Sequence, residues 1–258
     1  MPKFDLVHGG APPTMDGDVE VAFVTDAGEE RLSLAEAWSV PFESCRPVRR
    51  FPSYKGQRHY IGQWWTATTS TLVGFESWLE RDRLMLLDFD PDTVSLASQP
   101  FWLFWTTAGG RSRSHAPDYF ARLTDGNALV LDCRPLDRIK PKDEVAFEAT
   151  RAACELLGWR YEIVGAPPEM LLANIRWLAG YRHPRHDLPV VAETLRAVFS
   201  RPMPLLDGAE AAGDPIAVLP VLFHLLWRQE LVADLSVSLT AETEVSAALT
   251  RTAQGAAT

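Results

Sequence analysis

One apolar run in this chain carries an acid inside it: Ala128-Leu129-Val130-Leu131-Asp132-Cys133-Arg134. Its aliphatic and β-branched content and its length read as a buried strand. A buried strand keeps a carboxylate only where something answers the charge, because an ion stripped of water without a partner is costly. Alternation puts Leu129, Leu131 and Cys133 on one face, and Asp132 and Arg134 on the other. An acid and a base therefore share a strand face. The strand has to lie inside a sheet, with that face turned to a polar site.

The neighbouring segments supply the sheet and its cover. Residues 111–134 read as a strand, a hairpin turn at Asp125–Gly126 and the acid-bearing strand. A helix follows, with Pro141 near its start, acids in its first turn and Gly158 at its end. Trp159–Gly165 reads as a strand, and the prolines at 167 and 168 open another helix. Upstream, strands are expected at 20–26, 59–69 and 95–107. A helix bearing Phe75, Leu79, Leu84, Leu86 and Leu87 is expected to end before the turn cluster at Asp88–Asp92. The order predicts an α/β protein whose mixed sheet is flanked by helices.

Past His183-Pro184-Arg185-His186 the composition shifts to a helix at 187–200, a Pro/Gly/Ala-rich turn, a helix at 215–231 and a β-like tail at 234–246. Two helices and a hairpin outline a small winged-helix-like domain. The expected division is an acidic N-terminal extension at 1–40, the α/β domain at 41–166 and the C-terminal domain at 167–258.

Charge is spread unevenly over the chain. Its sum is -9, yet residues 41–70 carry +4 while 1–40 carry -6 and 187–258 carry -5. The basic block contains Arg46, Arg49, Arg50, Lys55 and Arg58, a local patch of the kind that phosphate contacts need. With 47% hydrophobic and 23% charged residues the chain is neither disordered nor fibrous. No apolar run reaches the ~18–20 residues of a membrane span, and the first residues lack a signal peptide's apolar core. Cys45, Cys133 and Cys154 form no CxxC pair. The expected setting is a reduced cytoplasm, with no membrane partner.

Phosphodiester hydrolysis needs an activated water and relief of negative charge in the transition state, which Mg²⁺ held by carboxylates from separate elements can supply. Such acids stand at Glu80 on the first helix, at Asp118 after Pro117, and at Asp132. Glu76, one turn before Glu80, competes with it for the same role. The SxxE helix, the Gln99-Pro100 step, Pro117-Asp118 and the acid-x-base-Pro strand end at 132–135 make the chain resemble PD-(D/E)xK nucleases. The likeness is to the catalytic domain of TnsA-like transposase endonuclease subunits, over roughly residues 45–182.

The resemblance implies a restriction-endonuclease-like fold and a metal-dependent endonuclease that hydrolyses one strand at transposon ends. Glu80, Asp118 and Asp132 would be the Mg²⁺ (or Mn²⁺) ligands, joined by the backbone carbonyl of Cys133. It also implies an integrase-like transposase subunit as partner, and an AAA+ ATPase regulator that contacts the C-terminal domain. The acidity of residues 187–258 and the apolar helix at 215–231 independently favour a protein partner there.

Where the family has lysine this chain has Arg134. Arginine stays protonated, so it can clamp a phosphate bidentately but cannot be a general base. Lys140 and Lys142 are the nearest lysines that could reach back. The same departure keeps a second expectation open, a non-catalytic DNA-positioning or assembly subunit on a decayed nuclease fold. A restriction- or repair-type nuclease acting alone fits the acidic C-terminal domain less well.

Other features have plainer readings. His183 and His186 suit a solvated linker, Cys133 a buried inert thiol, the FWLFW run a core strand, and the Asp88, Asp90 and Asp92 run a solvated turn. Trp64 and Trp65, close to the basic block, could stack on bases. Binding of DNA by the isolated protein should be weak and strongly salt-dependent. Reversing the charge of Arg49 and Arg50 should lower its affinity at low salt, measured by fluorescence anisotropy on a labelled duplex; full retention rules out this patch.

Overall fold

The computed structural model describes residues 19–49, 60–107 and 109–248. The chain divides into one unit of Met1–Arg83 with Asp92–Ala166, and another of Leu84–Pro91 with Pro167–Thr258. It is a mixed α/β protein with several sheets and helices.

The first unit contains, in chain order, strands β1 (Glu20–Thr25), β2 (Gly28–Ser33), β3 (Gly62–Trp65) and β4 (Leu72–Phe75), then the start of helix α1 (Trp78–Phe89). There follow β5 (Thr93–Ser98), β6 (Trp102–Thr106), β7 (Ser112–His115), β8 (Tyr119–Leu123), β9 (Ala128–Cys133), α2 (Pro141–Leu156) and β10 (Arg160–Val164). One sheet has the order β10-β9-β8-β5, with β10 parallel to β9 and the other pairs antiparallel. A second, β2-β1-β6-β7, is antiparallel throughout. The strands at 20–33, where an N-terminal extension was expected, thus belong to a sheet of this unit. β3 and β4 pair separately.

Two segments expected as single strands are each broken in two, for one reason. Residues 95–107 divide at Gln99, whose φ is +47°, and at Pro100, which has no N–H to donate. Residues 111–123 divide at Ala116-Pro117-Asp118. β5 with β8, and β6 with β7, therefore form one ribbon that bends from the first sheet into the second. The two bends are tied by the Gln99 amide donating to the Asp118 carbonyl at 2.9 Å. This ribbon bend is what fixes Asp118 in place.

The core beside it is aromatic. The Phe42 ring lies 5.3 Å from Phe23, 4.8 Å from Phe101, and 5.7 Å from both Phe120 and Trp159. Phe147, Ala149, Ala153 and Cys154 are the buried face of α2 and join the same core. Pro141 opens α2, Asp143 and Glu144 stand in its first turn, and Gly158 follows at φ +71°.

The second unit contains α3 (Glu169–Leu178), α4 (Pro189–Val198), β11 (Met203–Pro204), α5 (Leu205–Ala212), α6 (Pro215–Trp227), β12 (Leu231–Val232) and β13 (Glu244–Ala247). Its small antiparallel sheet has the order β11-β13-β12. α5 replaces the expected turn. Its glycine was the misleading signal: Gly208 serves close packing rather than chain reversal, since a Cβ there would lie 2.2 Å from Cζ of the buried Phe199 ring. Among the described residues no single helix is long and apolar enough to cross a membrane.

Gly208→Ala sets a helix-propensity gain of about 1 kcal/mol against an overpacking cost of about 1–3 kcal/mol. Because the ring beneath it is enclosed, a net loss of stability should appear in urea unfolding. A net gain would show that Phe199 can move aside.

Candidate active site

Four side chains named from the sequence come to the end of β9. Asp118 stands just before β8, its amide donating to the Leu131 carbonyl at 3.0 Å. Its side chain is 3% exposed, and Oδ2 accepts from the Cys133 amide at 2.7 Å and from Arg134 Nη1 at 3.2 Å. Burial first, then the charges of Asp132 and Glu80, hold the Asp118 carboxyl well above the usual carboxylate range.

Asp132 is wholly buried, and both of its oxygens are engaged. His115 Nε2 lies 2.9 Å from each, and the Tyr161 hydroxyl donates to Oδ2 at 2.6 Å. Burial, then the Asp132 charge, pushes the Tyr161 phenol far above its ordinary value.

Glu80 has two structural jobs. Ser77 Oγ accepts from the Glu80 amide at 3.1 Å, while the Glu80 carboxylate accepts from Ser77 Oγ and the Glu76 amide, both at 2.8 Å. The SxxE motif therefore caps the opening of the helix, through the Ser77 hydroxyl and the Glu76 amide, as well as carrying charge. Burial raises the Glu80 carboxyl against those hydrogen bonds. Glu76 is drawn elsewhere, to Arg49 Nη2 at 2.6 Å. Of the two competing glutamates, Glu80 is the one whose charge acts on Asp118 most directly.

Arg134 is the positive member. Besides Asp118, its Nη1 donates to the Cys133 carbonyl oxygen at 2.7 Å, and the guanidinium carbon lies 5.8 Å from the Phe147 ring centre. Burial works against its charge, but Asp118, Asp132 and Glu80 together outweigh it and push the guanidinium up. Cys133 is buried, and its thiol is pushed up by desolvation and then by Asp118. Lys140 and Lys142 are both exposed.

Of the basic block, Arg46 donates to the Thr25 carbonyl at 2.5 Å and Arg49 pairs with Glu76. Arg50, Lys55 and Arg58 lie outside the described residues. Trp64 and Trp65 are half-buried in β3. A different aromatic pair stands exposed beside Glu80: Trp78 stacks on Tyr60 at 4.3 Å, and Arg81 lies over the Trp78 ring at 4.0 Å.

His115 and Tyr161 lie 17 and 29 residues from Asp132, and no local sequence pattern marks them as its partners. Gln99 is marked in the sequence only as the step after a strand. Its side chain is buried, with neither amide atom hydrogen-bonded among the described residues.

Among the described residues no three His, Cys, Asp or Glu side chains converge closely enough to hold a metal ion. Glu80, Asp118 and Asp132 are nonetheless three buried carboxylates in the neighbourhood of one guanidinium, and burial, before any neighbouring charge, is what raises Asp118 and Glu80. Searches against models of known families and against curated proteins give no match.

An acid raised by burial binds more protons folded than unfolded. Its contribution is present below the ordinary carboxylate range and is lost as pH rises through the raised value. In chelator-treated protein the unfolding temperature should therefore fall as pH climbs out of that range. Asp118→Asn, which keeps an acceptor for the Cys133 amide, should flatten the fall. An identical slope in the variant would show that Asp118 is not the group responsible.

Proposed function

We propose that the first unit is a restriction-endonuclease-like, metal-dependent DNA endonuclease. It serves as the TnsA-like subunit of a heteromeric transposase and hydrolyses one strand at transposon ends. The observation that carries this reading is the charge cluster about Asp118 at one end of a mixed sheet: Asp132 and Glu80 act on it through space, and Arg134 is bonded to it. Glu80, Asp118, Asp132 and the Cys133 carbonyl would hold Mg²⁺ or Mn²⁺. When bound, the metal supplies Lewis acidity toward the phosphoryl oxygens and lowers the pKa of water.

The chain's own residues do the rest. Arg134 clamps the scissile phosphate and stabilises its developing charge, and it takes no proton. His115 and Tyr161 hold Asp132 in one orientation by engaging both of its oxygens. The basic block from Arg46 to Arg58 contributes charge for the DNA backbone. The C-terminal unit is read as winged-helix-like on its helices and small sheet. Its acidic balance favours docking to an AAA+ ATPase regulator, with an integrase-like transposase cutting the other strand. The cytoplasm remains the expected setting.

The bonds of Arg134 favour a second reading, a DNA-positioning or assembly subunit without activity, because the guanidinium already satisfies Asp118 and the Cys133 carbonyl. Strand-specific cleavage of transposon-end DNA, in a mixture reconstituted with the transposase and ATPase, separates the two. The nuclease reading expects nicking that Asp118→Ala and Arg134→Ala abolish and that Arg134→Lys retains or raises. Absence of nicking by the wild type favours the second reading, and nicking undiminished in both alanine variants removes the catalytic assignment.

A further inference from the structure

The antiparallel pair β3–β4 delivers two aromatic side chains to one place. Its register sets Gly62 opposite Phe75, and a Cβ at Gly62 would lie 2.4 Å from Cζ of the buried Phe75 ring, so only glycine allows this close pairing. Tyr60 just precedes Gly62 and Trp78 just follows Phe75, and the two meet beyond the end of the ladder. Their rings stack with centroids 4.3 Å apart and planes 22° from parallel. The Arg81 guanidinium lies 4.0 Å from the Trp78 ring centre. Two planar groups so near one indole cannot share a face of it, so phenol, indole and guanidinium form a column with the phenol at its outer end. Even in that column Tyr60 is 60% exposed. Arg49, at the other end of the basic block, is held to Glu76 close by. Residues 49–60, bounded by these two anchors, include Arg49, Arg50, Lys55 and Arg58 and no acid.

We infer that the Tyr60 end of this column is a stacking site for the base of an unpaired nucleotide. A base is a flat ring system that gains by lying on a phenol, and it arrives joined to a phosphate that adjoining Arg and Lys charge attracts. Stacking on Trp78 already fixes the plane of the phenol, so little side-chain freedom remains to be lost on binding. Within a duplex each base face is covered by its neighbours, so the site selects nucleotides whose base is free. Trp78 opens the helix that carries Glu80, and a base held here brings a junction of paired and unpaired DNA to the start of α1. The inference shares with the nuclease reading only the expectation that this unit meets DNA, and it requires neither a metal ion nor cleavage.

Binding in the presence of a chelator tests this. Full-length protein at low salt is titrated against labelled DNAs that share length and ends, and anisotropy is read. One is a paired duplex, one the same duplex with a short internal loop of unpaired thymidines, and one that loop with abasic sites replacing the thymidines. Wild type should bind the thymidine loop about tenfold more tightly than either of the others. Tyr60→Ala should lose that preference and bind the paired duplex as wild type does. Tyr60→Phe, which keeps the ring, should keep the preference. Equal binding of thymidine and abasic loops by wild type overturns the inference while leaving DNA binding by the basic block standing. A preference that survives in Tyr60→Ala overturns it equally. Wild type that binds none of these DNAs overturns the inference together with the DNA-binding role of the block, and cleavage with the partner proteins still decides the catalytic assignment. The thymidine and abasic comparison uses wild type alone, so it decides whether or not the variants fold.

Discussion

The first unit is arranged around a charge problem. Asp118 and Asp132 are both buried, on adjoining segments of one sheet, and Glu80 adds a third negative charge from α1. Isolated carboxylates in such surroundings would cost several kcal/mol each, so several neighbouring polar groups are committed to them. The Cys133 amide and Arg134 serve Asp118, His115 and Tyr161 serve Asp132, and the α1 cap serves Glu80. The ribbon bend is part of the same solution. It turns the chain at Gln99 and at Pro117 in step, which leaves Asp118 at a strand end rather than within a strand.

Much of this was legible in the sequence where the signal is local. α2 carries its proline, its first-turn acids and its terminal glycine within one window. The β8–β9 hairpin is marked by Asp125 and Gly126, the latter at φ +82°. The strand with an acid inside it is buried at every position. The SxxE motif was visible too, although its capping role gives it a structural cause that a pattern alone cannot separate from a functional one.

What stayed hidden depends on distant contacts. The two bends read as continuous strands because Gln99 and Pro117 interrupt otherwise β-rich sequence, and only their pairing shows that the breaks coincide. His115 carries no local mark of its role, which appears only when β7 brings it against β9's acid. Gly208 looked like a turn former because the Phe199 ring that requires it lies in another element. In each case the deciding contact comes from another element of the chain.

The internal ion pair at Asp118 also bears on how such a chain is made in a cell. Proteins that gather acids for a metal commonly need that metal to complete folding, so their yield follows its supply. Here the strand end that bears the acid also bears a fixed cation, bonded to the acid one strand away and to the carbonyl beside it. A newly synthesised chain therefore carries within its own sequence the countercharge that closing this sheet requires.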